Sequence, residues 1–139
     1  MDQSLIAQKI ESLRRCIQRI MDKAPATFDV LVKDADIQDI LVLNLTRAVQ
    51  MCVDIGSHLI SETDEPAPAN MGEVFSTLRR IGVISAGTED TMRKAVGFRN
   101  VAVHNYDTIN WEIVFAICQK SLPDFRHFVE QVVDYCGEV

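Results

Sequence analysis

The sequence has no long apolar run, no net positive charge and no CxxC motif, and each absence excludes a class of protein. Apolar blocks such as Ile40 to Leu43 fall far short of the roughly 18 residues that span a membrane, so we expect no membrane partner. A formal net charge of −6 argues against a general grip on nucleic acid, because phosphate neutralisation requires positive charge. The first residues lack the basic start and apolar core of a signal peptide, which predicts a cytoplasmic protein.

The cysteines predict neither a zinc site nor a disulfide framework. They are widely spaced, each lies in an apolar helical pattern, and none has a histidine at zinc spacing. Buried free thiols are therefore expected at Cys16, Cys52, Cys118 and Cys136. We predict that the protein uses no metal ion and no other cofactor.

What the sequence does contain is helical periodicity along nearly its whole length. Its 47% hydrophobic and 24% charged residues are typical of a globular protein, and we place a single domain at residues 1–139. Apolar residues recur at intervals of three and four, and strand-like alternation is absent. These patterns predict an all-α bundle of about five to six helices.

Caps and breaks place the predicted helices. The first ends at Pro25, and the second, which should be central because it is apolar around most of its circumference, runs from a cap at Asp36 to about Ser61. Gly56 in that helix indicates the close approach of another backbone. A loop covers 61–70, and further helices are predicted at 71–84, from a cap at Thr88 into the segment 98–107, at 111–120 and at 123–136.

The segment 98–107, FRNVAVHNYD, concentrates the reactive side chains of the chain. At about 100° per residue, Asn100 and His104 lie about 40° apart on a helix, whereas Arg99 lies about 140° from His104. The guanidinium of Arg99 can therefore reach Asn100 and His104 only because its side chain is long, or if the helix loosens near Gly97. We expect the apolar residues at 101–103 to hold the helix against the bundle while the polar side chains point outward.

These residue types suit the cleavage of a phosphodiester bond in RNA. A histidine, with an ordinary pKa near ~6.5, exchanges protons at neutral pH, as activation of a ribose 2′-hydroxyl or protonation of a leaving oxygen requires. A guanidinium binds phosphate oxygens and stabilises charge in the transition state. From spacing alone, a salt-bridged surface is the commoner explanation. A strip of basic residues leads into the segment: Arg79, Arg80, Arg93, Lys94 and Arg99.

The sequence RNVAVHNY at 99–106, late in an all-α chain of this size, resembles the Arg-x4-His-x-Tyr signature of HepT-like toxins in the HEPN superfamily. The stretches 93–100 (RKAVGFRN) and 45–60 (LTRAVQMCVDIGSHLI) resemble that family's pattern as well. The resemblance implies a HEPN-type helical bundle that forms a homodimer in which two copies of the motif face one cleft. It also implies a metal-independent endoribonuclease.

The resemblance assigns roles to individual residues. Arg99 and His104 would be catalytic, and Asn100 would be a polar helper. Tyr106 would accept AMP from ATP, transferred by a minimal nucleotidyltransferase antitoxin of the MntA type, and this modification would neutralise the toxin. The expected partners are thus an RNA substrate, that antitoxin and a second copy of the chain, and DNA is not among them.

Two alternatives remain open. In the first, the protein is a non-catalytic subunit that holds a nucleotidyltransferase or a nucleotide, and Arg99 and His104 merely bind phosphate; the negative net charge favours it. In the second, the protein is a structural bundle with a chance motif. For Tyr106 the alternative to modification is a half-buried ring whose hydroxyl finds a partner.

Other polar residues are weaker candidates. Asp54 and His58 lie four residues apart, a spacing that allows them to pair, and a satisfied polar contact inside the bundle is favoured over a catalytic role. His127 is expected to face solvent. Arg79 and Arg80 either guide RNA or form a solvated helix face. Trp111 either stacks on a base or makes a core or dimer contact.

Overall fold

The computed structural model describes residues 3–137, and within that range the backbone is helical without a strand. A 3₁₀ turn lies at Tyr106–Thr108 and a π-helical turn at Ile117–Ser121. The α-helices are α1 (Gln3–Lys23), α2 (Phe28–Lys33), α3 (Ala35–Ser61), α4 (Met71–Arg80), α5 (Ala86–His104), α6 (Trp111–Ala116) and α7 (Leu122–Gly137). The predicted all-α bundle is confirmed, with the short α2 as an element that was not predicted.

Helix α3 is the centre of the bundle, as its sequence predicts. It packs against α1, α4 and α5 and buries residues on several sides. By length and composition alone this helix could cross a membrane, since the mean hydropathy of its apolar window is 1.2. More than half of that window, 56%, is buried inside the bundle, so the role of α3 as the core helix accounts for its apolar character.

Two helix caps differ from the predicted ones. Asp34, and not Asp36, caps α3 by accepting a hydrogen bond of 3.1 Å from the amide of Ile37. The preceding helix α2 ends at Lys33, which leaves Asp34 in the extended conformation that a capping residue requires. Similarly, the hydroxyl of Ser85 caps α5 by accepting from the amide of Thr88 at 3.2 Å, so Thr88 is not the cap.

Two predicted helix ends were also wrong. Helix α4 ends at Arg80 rather than at Ile84, because Gly82 adopts a positive φ of 85° that turns the chain out of the helix. The break predicted between 120 and 123 is absent, since a π turn joins α6 to α7. Pro123 lies in the first turn of α7, where its missing N–H and fixed φ are compatible with a helix.

The contact between α3 and α4 forms around Gly56. A Cβ atom at this position would lie 2.6 Å from Cγ1 of Val74 and 2.9 Å from Cδ1 of Leu78. The sequence predicts that another backbone approaches Gly56, but the close neighbours are side chains of α4. Beyond them, Phe75 of α4 packs edge to face on Phe128 of α7, with ring centroids 5.7 Å apart.

All four cysteines are free thiols, as predicted, but only Cys52 is fully buried. The other three are partly buried. Burial raises the pKa of the Cys118 thiol to about 11, and it also raises the pKa of Cys52. The thiols are thus held in their neutral, unreactive form near neutral pH.

Candidate functional site

The end of α5 presents the polar motif at the surface. The helix stops at His104, and Asn105 closes it by donating its N–H to the carbonyl of Val101 at 2.8 Å. The chain then enters the 3₁₀ turn that begins at Tyr106. Asn100, His104 and Tyr106 are exposed, and Arg99 is partly buried.

The sequence predicts that the apolar residues at 101–103 hold the helix against the bundle, and this prediction is wrong for two of the three. Only Ala102 is buried, while Val101 is 41% exposed and Val103 is 50% exposed. The reason is geometric, because consecutive residues of an α-helix are turned by about 100° and three in a row cannot share one face. The surface beside His104 therefore carries two exposed valines.

The structure brings together part of the predicted catalytic set. Nη1 of Arg99 donates a hydrogen bond of 3.3 Å to Oδ1 of Asn100. Within residues 3–137, this is the only hydrogen bond that joins two members of the set Arg99, Asn100 and His104. One chain thus pairs Arg99 with Asn100, and among the described residues the imidazole of His104 forms no hydrogen bond with either.

Tyr106 is anchored to the first turns of the core helix α3. Its hydroxyl donates a hydrogen bond of 2.5 Å to Oδ1 of Asp39, and its ring packs edge to face on Trp111, with centroids 6.1 Å apart. Burial, together with the hydrogen bond to Asp39 and the negative charge of that carboxylate, raises the pKa of Tyr106 to about 12. The side chain remains 40% exposed, so the hydroxyl is protonated and partnered but lies at the surface.

Asp39 was not among the predicted site residues. It lies 67 residues before Tyr106 in the chain, and nothing in its own sequence neighbourhood marks it out. Asp39 is the partner that the alternative interpretation of Tyr106 requires for its hydroxyl. Trp111 packs on Tyr106 and is partly buried, so it is an internal contact in this chain rather than a free surface for a base.

A groove of about 480 Å³ runs beside Arg99. It separates the start of α4 from the exposed face of α5, and Arg93 forms part of it as well. Nη1 of Arg93 donates to the carbonyl of Gly72 at 3.0 Å and to the hydroxyl of Ser76 at 2.5 Å. The lining residues are Asn70, Met71, Gly72, Arg93, Val96, Gly97, Arg99 and Asn100.

The basic strip that precedes the motif is largely neutralised. Arg79 pairs with Glu89 and Arg80 with Glu65, each at 3.2 Å. Lys94 pairs with Asp90, also at 3.2 Å. Within the described chain, Arg93 and Arg99 are the members of the strip that form no salt bridge, whereas Arg79 and Arg80 belong to a salt-bridged, solvated face.

The remaining weak candidates do not form a second site. The spacing that allows Asp54 and His58 to pair is not used among the described residues, since Asp54 binds Lys9 at 3.4 Å and Gln50 at 2.9 Å. His58 lies 3.8 Å from Glu62 instead. His127 faces solvent as predicted. Among residues 3–137, no three His, Cys, Asp or Glu side chains cluster as a metal site would require.

The fold and the site together define a helical bundle that presents an Arg-Asn-x3-His-x-Tyr motif on the exposed end of one helix. The chain belongs to the family described as "Ribonuclease HepT-like", whose model matches residues 9–132. This agrees with the resemblance noted in the sequence.

Curated relatives and a solved structure cover nearly the whole chain. The mRNA nuclease HepT of Shewanella oneidensis is 32% identical over 128 residues, which are 92% of this chain and 96% of the relative. The tRNA nuclease HepT of Aphanizomenon flos-aquae is 22% identical over 131 residues, 94% of this chain and 89% of that one. A tri-AMPylated Shewanella oneidensis HEPN toxin, solved in complex with an MNT antitoxin, superposes with a TM-score of 0.87 at 32% identity, covering 93% of this chain and 96% of that chain.

Proposed function

We propose that the protein is the toxin of a toxin–antitoxin pair, an endoribonuclease that acts through Arg99, Asn100 and His104 and is silenced by adenylylation of Tyr106. The observation that carries the proposal is the intact motif, exposed at the end of α5, in a chain of the HepT-like ribonuclease family. Both curated HepT relatives are named as RNA nucleases, one of mRNA and one of tRNA. These names support RNA as the proposed substrate class.

The proposed reaction uses the ribose 2′-hydroxyl as its nucleophile. That oxygen attacks the adjacent phosphorus, the bond from phosphorus to the 5′-oxygen breaks, and the products carry a cyclic phosphate and a free 5′-hydroxyl. His104 takes the 2′-hydroxyl proton or gives a proton to the leaving oxygen. Arg99, oriented by Asn100, binds the phosphate oxygens and stabilises the charge that develops on them.

The site also requires a second copy of the chain in this proposal. Within the described residues of a single chain, His104 forms no hydrogen bond with Arg99 or Asn100, and the reaction calls for both a proton acceptor and a proton donor. The exposed Val101 and Val103 beside His104 supply apolar surface for a two-fold contact. Such a homodimer places two arginines and two histidines at one RNA strand.

Adenylylation at Tyr106 fits the position of its hydroxyl. The AMP-bearing relative was solved with an MNT antitoxin, and a nucleotidyltransferase of that kind is the proposed partner here. The phenol oxygen attacks the α-phosphorus of ATP, pyrophosphate leaves, and the phenol loses its proton. The product carries a phosphodiester two residues from His104, where its bulk and negative charge exclude RNA phosphate.

We also propose that the protein acts in the cytoplasm on RNA rather than DNA and without a membrane partner. The 2′-hydroxyl mechanism distinguishes the two nucleic acids, because DNA lacks that nucleophile. The non-catalytic alternative keeps the same antitoxin partner, so it is distinguished from the nuclease only by a cleavage assay.

The test uses protein produced without any nucleotidyltransferase, with mass spectrometry to verify an unmodified Tyr106. Wild type and His104→Ala are incubated with total RNA in EDTA, and the fragments are resolved on a gel. We expect the substitution to reduce the cleavage rate by about 10²- to 10⁴-fold, the usual contribution of a general acid or base.

His127→Ala is the matched control, because it removes another exposed histidine, on α7, and should cleave like wild type. Equal cleavage by wild type and His104→Ala would contradict the role of His104. An absence of cleavage by unmodified wild type would favour the non-catalytic subunit.

A further inference from the structure

Arg93 is held in place but its charge is not neutralised. Both of its hydrogen bonds, to the Gly72 carbonyl and the Ser76 hydroxyl, leave from Nη1. In the part of the chain that the structure describes, neither acceptor carries a negative charge, and no carboxylate forms a salt bridge with this guanidinium. A fixed, uncompensated guanidinium whose Nε and Nη2 hydrogens remain for a ligand is a suitable group to bind phosphate.

Arg93 also shares a helix face with two of the three proposed catalytic residues, Asn100 and His104. Positions 93, 97, 100 and 104 are separated by four, three and four residues, so they form one stripe along α5. At about 1.5 Å per residue, Arg93 lies about 16 Å along the helix axis from His104. This stripe starts inside the groove beside Arg99 and ends at the imidazole.

The middle of the stripe is open. Gly97 lines the groove, and a Cβ atom built on it would meet no atom within 4 Å. A strand that enters at Arg93 thus crosses the bare backbone of Gly97 before it reaches Asn100 and His104. The other strip residues do not offer a competing path, because Arg79, Arg80 and Lys94 are paired with carboxylates.

We propose that the groove between α4 and α5 is an RNA-binding subsite in which Arg93 binds a backbone phosphate of the substrate a few nucleotides from the bond that His104 acts on. This inference rests on the proposed nuclease function and names where that substrate enters. The ligand is a phosphodiester backbone and not an acidic protein segment, because the groove joins the proposed catalytic face directly. Since Arg93 binds phosphate and not bases, the subsite contributes affinity without sequence preference.

The experiment measures binding and cleavage separately. Binding of a fluorescently labelled single-stranded RNA is followed by anisotropy over a series of salt concentrations, in a His104→Ala background that prevents cleavage. Arg93→Gln should weaken binding by about tenfold, as expected for the loss of a charged hydrogen bond. It should also lower the slope of log Kd against log salt by about 0.7, the value of one phosphate contact on a single strand.

Lys94→Gln is the matched control, because it removes one positive charge from the next residue of α5, where the ammonium is already paired with Asp90. It should leave the affinity within about twofold of the parent and the salt slope unchanged, as expected for an exposed ion pair that makes no phosphate contact. Arg93→Lys, which retains the charge without the planar fork, should recover most of the slope and part of the affinity.

Because Arg93 also links α5 to α4, a second variant separates binding from folding. Gly97→Ala places a methyl group in the open groove while improving helix propensity, so its Tm should rise as its RNA affinity falls. A structural role for Arg93 alone would lower Tm in Arg93→Gln and leave the salt slope unchanged.

Four outcomes are decisive. A shallower salt slope and weaker RNA binding in Arg93→Gln support the subsite, provided that kcat/KM also falls when the same substitution is made in protein that retains His104. An unchanged salt slope overturns the subsite even where wild type cleaves RNA. The subsite is also overturned if Arg93→Gln binds RNA like its parent and loses only its binding to the nucleotidyltransferase antitoxin. If wild type does not cleave, the nuclease proposal fails, and the binding series still decides whether the groove holds RNA.

Discussion

Tyr106 shows how one contact defines the chemical state of a residue. Asp39 accepts the phenol hydrogen at 2.5 Å, and this bond, the carboxylate charge and burial favour the protonated phenol. Adenylylation replaces that hydrogen with a phosphodiester, which has no donor to offer and brings a negative charge towards Asp39. Modification therefore requires the Tyr106 side chain to leave the carboxylate.

The raised pKa of Tyr106 gives the first prediction at the residue scale. A phenol whose folded-state pKa is about 12 stabilises the fold fully below its ordinary pKa near 10, and this contribution is lost as the pH rises towards 12. Asp39→Asn removes the negative charge, so the Tyr106 pKa should fall partway towards 10; burial, the largest cause, remains. Phenolate absorbance followed against pH measures the change.

Tyr106→Phe is the control for that titration. This variant removes the phenol hydroxyl of Tyr106, so it should lose the late phase. A late phase that stays near pH 12 in Asp39→Asn would show that the carboxylate has no part in the shift.

At the scale of the elements, the contact between α3 and α4 depends on the absence of a side chain at Gly56. The methyl groups nearest to a Cβ there belong to Val74 and Leu78, which are 3% and 0% exposed. Closely packed neighbours of this kind cannot swing into solvent, so an added methyl group forces the two helices apart. This packing positions α4, whose first turn lines the groove beside Arg99.

Gly56→Ala should consequently destabilise the protein. Overpacking costs about 1–3 kcal/mol, and the helix propensity of alanine returns about 1 kcal/mol, so we expect a net loss of about 1 kcal/mol in the free energy of unfolding. Urea denaturation measures it. Gly87→Ala in the first turn of α5 is the control, since its Cβ would lie 3.9 Å from the nearest atom, the Ser85 hydroxyl, and stability should hold or increase. Equal stability changes in the two variants would refute the packing argument.

For the whole molecule, the central question is the second copy of the chain. Val101 and Val103 are apolar and exposed on either side of His104, and in the proposed dimer they supply apolar surface to the two-fold contact. In the proposed dimer, assembly and catalysis are inseparable, because the residues of one chain do not complete the site.

Val103→Asp should therefore produce a monomer that does not cleave RNA. A carboxylate buried in an apolar two-fold contact lacks a partner, so dimerisation weakens while the fold of each chain is kept. Analytical ultracentrifugation gives the oligomeric state and the gel assay gives the activity. Val133→Asp on α7 is matched in residue type and exposure, 48% against 50%, and should behave like wild type. Full activity in a strictly monomeric Val103→Asp protein would overturn the two-chain site.

The sequence alone determined the all-α class, the central position of α3 and the segment that carries the motif. Each depends on residues that are near neighbours in the chain: apolar periodicity, capping side chains and a spacing of a few residues. It was less successful at helix ends, where Asp34 and Ser85 competed with Asp36 and Thr88 for the same role. The roles of Arg99, Asn100, His104 and Tyr106 remain predictions for the experiments above.

Only the tertiary structure decided which polar residues act together. Asp39 meets Tyr106 across 67 residues of chain, and the carboxylates that neutralise Arg79 and Arg80 come from other elements. Within residues 3–137, no carboxylate forms a salt bridge with Arg93. The exposure of Val101 and Val103 likewise depends on how α5 is rotated against the bundle. Partners of this kind are set by how helices pack against one another, and local sequence pattern carries little information about that packing.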